Sequence, residues 1–390
     1  MNNSGKETIW TKNFVLLSFA NLLMAIAFYF MISTLPVYIV NVLKTTKGKA
    51  GLILSFYTIA ALIIRPITGY AVDSIGRKNI YLFSLFTFSL LFNVYIIATT
   101  IATLLVLRFI HGITWGMTST SGSTVVVDII PVSRRGEGIG VFGLSMTIAM
   151  AIGPVIGLAI SKGCNYNAMF IAGSILSFAG LFLALLTRYP VYKAVKVKFR
   201  WKNLIEKRSI PVSLNQLVIT ISYGGLLSFI TIYGKETGIN NPGIFFMIYA
   251  AGIAVSRVIS GKIFDRHGPK AIITAGIVML IIGFPVLALC RSYAGFLFSA
   301  AIMGLGNGVV FPNFQAMINN MIETQRRGAG NSTLFTAFDM GIGAGMIING
   351  FLADHVGLSN SYLISAGINI ISLLYFWFYA LKHYYRHKIV

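Results

Sequence analysis

The chain has 390 residues, of which 56% are hydrophobic and only 11% charged, with a mean hydropathy of +0.79. A soluble domain carries about 25% charged residues, so this composition excludes that class and marks a membrane protein. The net charge of +21 would suggest nucleic acid in a soluble chain; here its distribution matters more than its size.

About 20 mostly apolar residues cross a bilayer as a helix, and such runs recur nearly end to end. They fall at 13–40, 48–72, 79–99, 102–127, 138–161, 166–187, 210–234, 243–264, 271–290, 293–319, 329–353 and 360–381. The expectation is an all-α membrane protein with twelve transmembrane helices and no soluble domain. The polar start MNNSGKETIWTKN leads into a run too long for a signal-peptide core, so the first span is expected to be retained. With the N-terminus inside, the inner segments hold 22 of the 31 Lys and Arg and the outer loops 6. The positive-inside rule then predicts a multi-pass protein of the cell membrane with both termini cytoplasmic. The basic excess is read as topology and as contact with anionic lipids at the cytoplasmic face, so no nucleic acid is expected. Cys164 and Cys290 offer neither a disulfide framework nor metal spacing. No metal or cofactor is expected. The five histidines, at 111, 267, 355, 383 and 387, show no ligand or triad spacing, which argues against an enzyme.

One offset relates two halves of the chain. GYAVDSIGRK at 69–78 and GKIFDRHGPK at 261–270 share glycine, aspartate, glycine and lysine, each preceded by an arginine, Arg65 and Arg257. Adding 192 also maps Gly112 to Gly304, Gly116 to Gly308, the RRG at 134–136 to the RRG at 326–328, and Gly153 to Gly345. A single register held this long marks an internal duplication. Six spans per repeat return the chain to the same side, so the two six-helix halves, 1–187 and 209–390, are expected to be related by pseudo-two-fold symmetry along the membrane normal. The basic stretch 188–208 is their cytoplasmic linker.

Within the repeated window, Gly69 permits close helix approach, Asp73 sits at a span end facing basic residues, and Gly76 allows the tight turn before Arg77 and Lys78. Asp73, Arg77, Asp128, Arg134 and Glu137 are expected to form a cytoplasmic charge cluster, with Asp265 as the weaker copy because Pro269 stands where the first half has Arg77. The window resembles the loop 2–3 signature of the major facilitator superfamily, and the chain resembles that family over its whole length. LRFIHGITWG at 107–116 resembles its fourth-span motif, with Arg108 as the arginine. GVFGLSMTIAMAIGPVIG at 140–157, ending in Gly153, Pro154 and Gly157, resembles the fifth-span motif of its twelve-span drug:proton antiporters. The resemblance implies transport by alternating access, a gating role for the charge cluster, sealing by the small face of span five, and export coupled to protons.

Asp339 alone among the ten carboxylates lies near the middle of a span, and an intramembrane acid is a functional candidate by default. With Arg108 and His111 it forms the expected proton-coupling set. Asn21, Tyr29, Trp115, Gln216, Tyr223, Asn307 and Phe311 are weaker candidates for a cavity that takes a small-molecule substrate. The reading is a proton-coupled exporter of small amphipathic organic molecules, acting as a monomer. The alternative is a proton symporter importing a sugar or organic acid, since one acid and one arginine serve either direction.

Overall fold

The computed structural model describes residues 8–41, 47–98, 100–163, 166–190 and 204–389, apart from the side chains of some helical positions, Pro154 among them. Cys164 and most of the basic linker lie outside this set. The described residues are mostly helical and contain no strand. In chain order the helices are α1 (Lys12–Asn41), α2 (Lys47–Ser74), α3 (Arg77–Val94), α4 (Ile101–Ile129), α5 (Arg135–Gly163) and α6 (Tyr166–Leu185), then α7 (Ile210–Glu236), α8 (Ile244–His267), α9 (Pro269–Leu289), α10 (Tyr293–Met321), α11 (Arg327–Tyr375) and α12 (Leu381–His387). The predicted eleventh and twelfth spans are the two arms of α11, which breaks at Gly357, where φ is +79°. Ten stretches among the described residues are long and apolar enough to cross a membrane, α11 and its continuation counting as one.

Helix starts repeat across the duplication. Thr100 caps α4 by accepting from the Thr103 amide, and Ser292, 192 residues later, caps α10 by accepting from the Gly295 amide at 3.1 Å. Gly76 and Gly268 precede α3 and α9 with φ of +124° and +78°, a region open to glycine at no steric cost.

The chain forms two compact units that do not coincide with a single cut. One comprises 1–131, 145–205 and 324–332; the other comprises 132–144, 206–323 and 333–390. The cytoplasmic starts of α5 and α11 are thus exchanged: each half of the sequence lends the first turns of one helix to the unit built mainly by the other. Within the first unit α4 packs on α2 and α3, and α6 on α1 and α3. The close approach of α4 to α2 depends on Gly112, where a Cβ would run into the carbonyl of Tyr57. In the second unit α10 packs on α8 and α9, and Gly304 meets the carbonyl of Tyr249 in the same register.

Candidate functional site

The exchanged helix starts are held by the two repeated aspartates. In the first unit the Asp73 carboxylate accepts from the amides of Gly328 and Ala329, at 2.9 Å each. In the second, Asp265 accepts from the amides of Gly136 and Glu137, also at 2.9 Å each. The first turn of a helix leaves its N–H groups unpaired and carries partial positive charge, so a carboxylate there satisfies two donors and the dipole together. The contact needs the neighbouring glycines. A Cβ on Gly69 would lie 2.8 Å from the Gly328 carbonyl oxygen, and one on Gly261 would collide with the backbone at Gly136 and Glu137.

The charges around the two aspartates differ. In the first unit Arg77 lies 3.8 Å from Asp73, pairs with Asp128 and donates to the Thr324 carbonyl. Arg327 pairs with Asp128 at 2.6 Å. In the second unit Arg77 is replaced by Pro269 and Asp128 by Asn320, and Arg135, the counterpart of Arg327, donates to Asn320 Oδ1 at 2.6 Å and the Asn319 carbonyl at 2.9 Å. Arg134 and Glu137, expected beside Asp73, stand in the second unit, where Arg134 pairs with Glu137 at 2.5 Å and Lys262 lies 3.8 Å from Glu137. The expected single cluster is two, because the start of α5 belongs to the second unit. Lys78 lies over the Tyr189 ring at 5.7 Å and lines a pocket of about 310 Å³ with Gly76, Arg77, Asp128 and Tyr189. Arg327, Lys262 and Gly136 were not singled out from the sequence, although the repeated RRG and the charge beside Gly261 carried the signal.

Deeper in the first unit Arg108 and His111 are both buried on α4. The guanidinium lies 4.1 Å from the centroid of the Tyr57 ring, on the side of the helix that also meets Tyr95. His111 Nδ1 is 3.2 Å from the Tyr95 hydroxyl, and the ring packs among Phe88 and Phe92. Trp115, one turn on, stacks on Phe28 with centroids 4.0 Å apart, and Phe28 meets Tyr29 edge to face. Asn21 donates to Ser145 Oγ. Gly153 brings α5 against α1, where a Cβ would sit 2.7 Å from Tyr29 Cβ; Gly345 meets the Ile221 carbonyl in the same register. Gly157 is buried on the same helix, and the Pro154 side chain lies outside the described residues.

In the second unit Asp339 is half-buried, midway along the first arm of α11, before Gly357. The preceding residue, Phe338, packs against Phe311 at 5.1 Å and Tyr223 at 6.4 Å, and Tyr223 stacks on Tyr249 at 6.0 Å. Asn307 donates to the Met303 carbonyl, and Gln216 is buried on α7 with its Oε1 unpaired. The candidates thus fall into one aromatic group per unit, each beside a charged residue with no counterpart in the other half: Arg108 aligns with Ala300 and Asp339 with Thr147.

Comparison with known proteins agrees with this architecture. The staphylopine export protein of Staphylococcus aureus is 22% identical over 355 residues, covering 85% of this chain and 87% of the relative. Multidrug resistance protein MdtG of Escherichia coli is 22% identical over 386 residues, 94% of each. The crystal structure of the human organic anion transporter MFSD10 superposes with a TM-score of 0.82 at 14% identity over 93% of this chain and 98% of that one, a likeness of fold alone. The Major Facilitator Superfamily model matches residues 17–290 and 212–389. By this match, and by its twelve-span helical fold, the chain belongs to the Major Facilitator Superfamily and is a multi-pass membrane transporter, not an enzyme.

Proposed function

We propose that the protein is a secondary active exporter that moves small amphipathic organic molecules out of the cell against inward proton flow, by alternating access. The observation that carries the gating part is the pair of matched aspartate contacts. Both hold the first turn of a helix whose remainder lies in the other compact unit. Bonds from a charged acceptor to backbone amides are worth about 1.5–3 kcal/mol each. Such contacts stabilise one state without blocking the return, as a gate must. A relative named as an export protein and another named for multidrug resistance support the outward direction.

In this reading the halves 1–187 and 209–390 rearrange about the linker 188–208, with both termini cytoplasmic. The small face of Gly153, Pro154 and Gly157 lets the helices slide and seal. Asp339 takes up and releases the coupling proton, Arg108 and His111 complete the coupling set, and the aromatic groups at Trp115 and Phe311 contact the substrate. The protein works as a monomer among anionic lipids.

The test is flux in proteoliposomes with a labelled panel of cationic, neutral and anionic amphipathic compounds, with and without an imposed pH gradient. Export of a compound that collapses with the gradient is the expected result. Accumulation in the direction of the proton flow establishes symport instead, and no flux of any compound overturns the transport reading.

A further inference from the structure

Arg108 is 1% exposed, and its guanidinium has no carboxylate partner among the described residues. Nine of the ten acids in the chain are among the described residues, and none is within ion-pair distance of it. A buried cation without a counter-charge is costly, and the face of one tyrosine ring offsets only part of that cost. Three buried polar atoms at this place lack a hydrogen-bond partner: Arg108 Nε, the Tyr57 hydroxyl and His111 Nε2. Orphans of this kind call for an explanation, and two of them are donors beside a fixed positive charge.

The surroundings are apolar and flat. From the guanidinium a run of π faces leads through Tyr57 to Phe28, with centroids 5.5 Å apart and planes 28° apart, and on to Trp115, 4.0 Å from Phe28 at 15°. Phe28 is the partly exposed ring of this run; Tyr57 and Trp115 are buried. The duplicated fold forms in the second half without this set, so the packing of these helices does not require it. The second half keeps the tyrosine, as Tyr249, and the packing glycine, as Gly304. It has Ala300, Met303 and Asn307 in place of Arg108, His111 and Trp115.

We propose that this is a binding site for an aromatic carboxylate: Phe28 swings aside, the ligand ring takes its place against Tyr57, and the carboxylate becomes the missing counter-ion of Arg108. A planar guanidinium matches a carboxylate in two parallel hydrogen bonds. The Tyr57 hydroxyl supplies a third donor. Ring-for-ring exchange keeps the stacking contacts, so charge pairing is the net gain. The assignment deepens the export reading by naming a substrate class, yet the binding itself does not depend on transport.

The experiment is calorimetric titration of the purified full chain with three probes that share one ring system: 1-naphthoate, 1-naphthalenemethanol and 1-naphthylmethylamine. Naphthoate is expected to bind at least about tenfold more tightly than the alcohol, and the amine more weakly than either, each factor of ten being 1.4 kcal/mol. Arg108→Gln should erase the preference while leaving the alcohol within about threefold, which also reports that the variant is folded; Arg108→Lys should keep part of it. Tyr57→Phe, which retains the ring, gives an independent arm and should weaken naphthoate alone. Equal binding of acid and alcohol, preference for the amine, or a preference that survives both Arg108→Gln and Tyr57→Phe overturns the proposal. Carboxylate-selective binding with no flux in liposomes leaves this site standing and removes the export reading. Flux of neutral or cationic compounds without carboxylate preference does the reverse.

Discussion

Asp73 and Asp265 make the same two amide contacts, so their difference lies in what surrounds them. Asp73→Asn exchanges a charged acceptor for a neutral amide, whose oxygen still accepts one bond. A loss of about 2 kcal/mol, within the span given for charge-assisted bonds, corresponds to about thirtyfold in a state equilibrium. Turnover in liposomes is expected to fall by roughly that order, with substrate affinity changed by only a few fold. Normal turnover with normal expression would show that Asp73 is static packing. Asp265→Asn should cost less, because Arg77 lies 3.8 Å from Asp73 and its counterpart in the second unit is the uncharged Pro269. The role of Asp339 is tested by Asp339→Asn. Gradient-driven accumulation is expected to vanish while exchange at equal pH survives, since exchange requires no proton turnover. Parental accumulation in this variant would move the coupling proton to another group.

At the scale of elements, the glycines set how near two helices come. Gly153→Leu places a bulky side chain against Tyr29 and the Phe30 backbone, where even a Cβ is too close. The helices must separate, and overpacking of this kind costs about 1–3 kcal/mol. The variant should still insert, because its hydropathy rises, but its melting temperature and transport rate should both drop. Gly343→Ala is the matched control on α11, with nothing within 4 Å of the added Cβ, and should be neutral on both measures. Equal behaviour of the two would show that the α1–α5 contact is loose. The duplication makes Gly345→Leu, facing the Ile221 carbonyl, a third arm with the same expected direction.

For the whole molecule the exchanged segments are the lever. Asn331 and Thr124 share the first unit, with Asn331 Nδ2 3.4 Å from Thr124 Oγ1. In a background with Cys164 and Cys290 changed to serine, Thr124→Cys with Asn331→Cys should cross-link on oxidation or with a short bis-thiol reagent. If α11 must withdraw from this unit in each cycle, cross-linking stops flux and reduction restores it. Unimpeded flux with complete cross-linking would show that residues 324–332 stay with the first unit throughout.

The sequence by itself determined the helical membrane class, the twelve spans and the duplication. Each rests on a signal local in the chain: apolar run length, or identical residues at a constant offset. It also picked out Asp73, Asp265, Gly69 and Gly153, which belong to the repeat at the constant offset, and Arg108, because a charge within an apolar run is costly. Which residues these would meet was decided by tertiary structure alone. The partners of Asp73 are the amides of Gly328 and Ala329, 255 and 256 residues away, and backbone amides leave no mark in a sequence. Arg134 and Glu137 carry the right charges for the Asp73 cluster but stand with Asp265, because the start of α5 is exchanged between units, and span prediction treats each helix as one body. That Arg108 has no counter-ion among the described residues was equally invisible, since a carboxylate far along the chain can reach a buried arginine until packing shows otherwise.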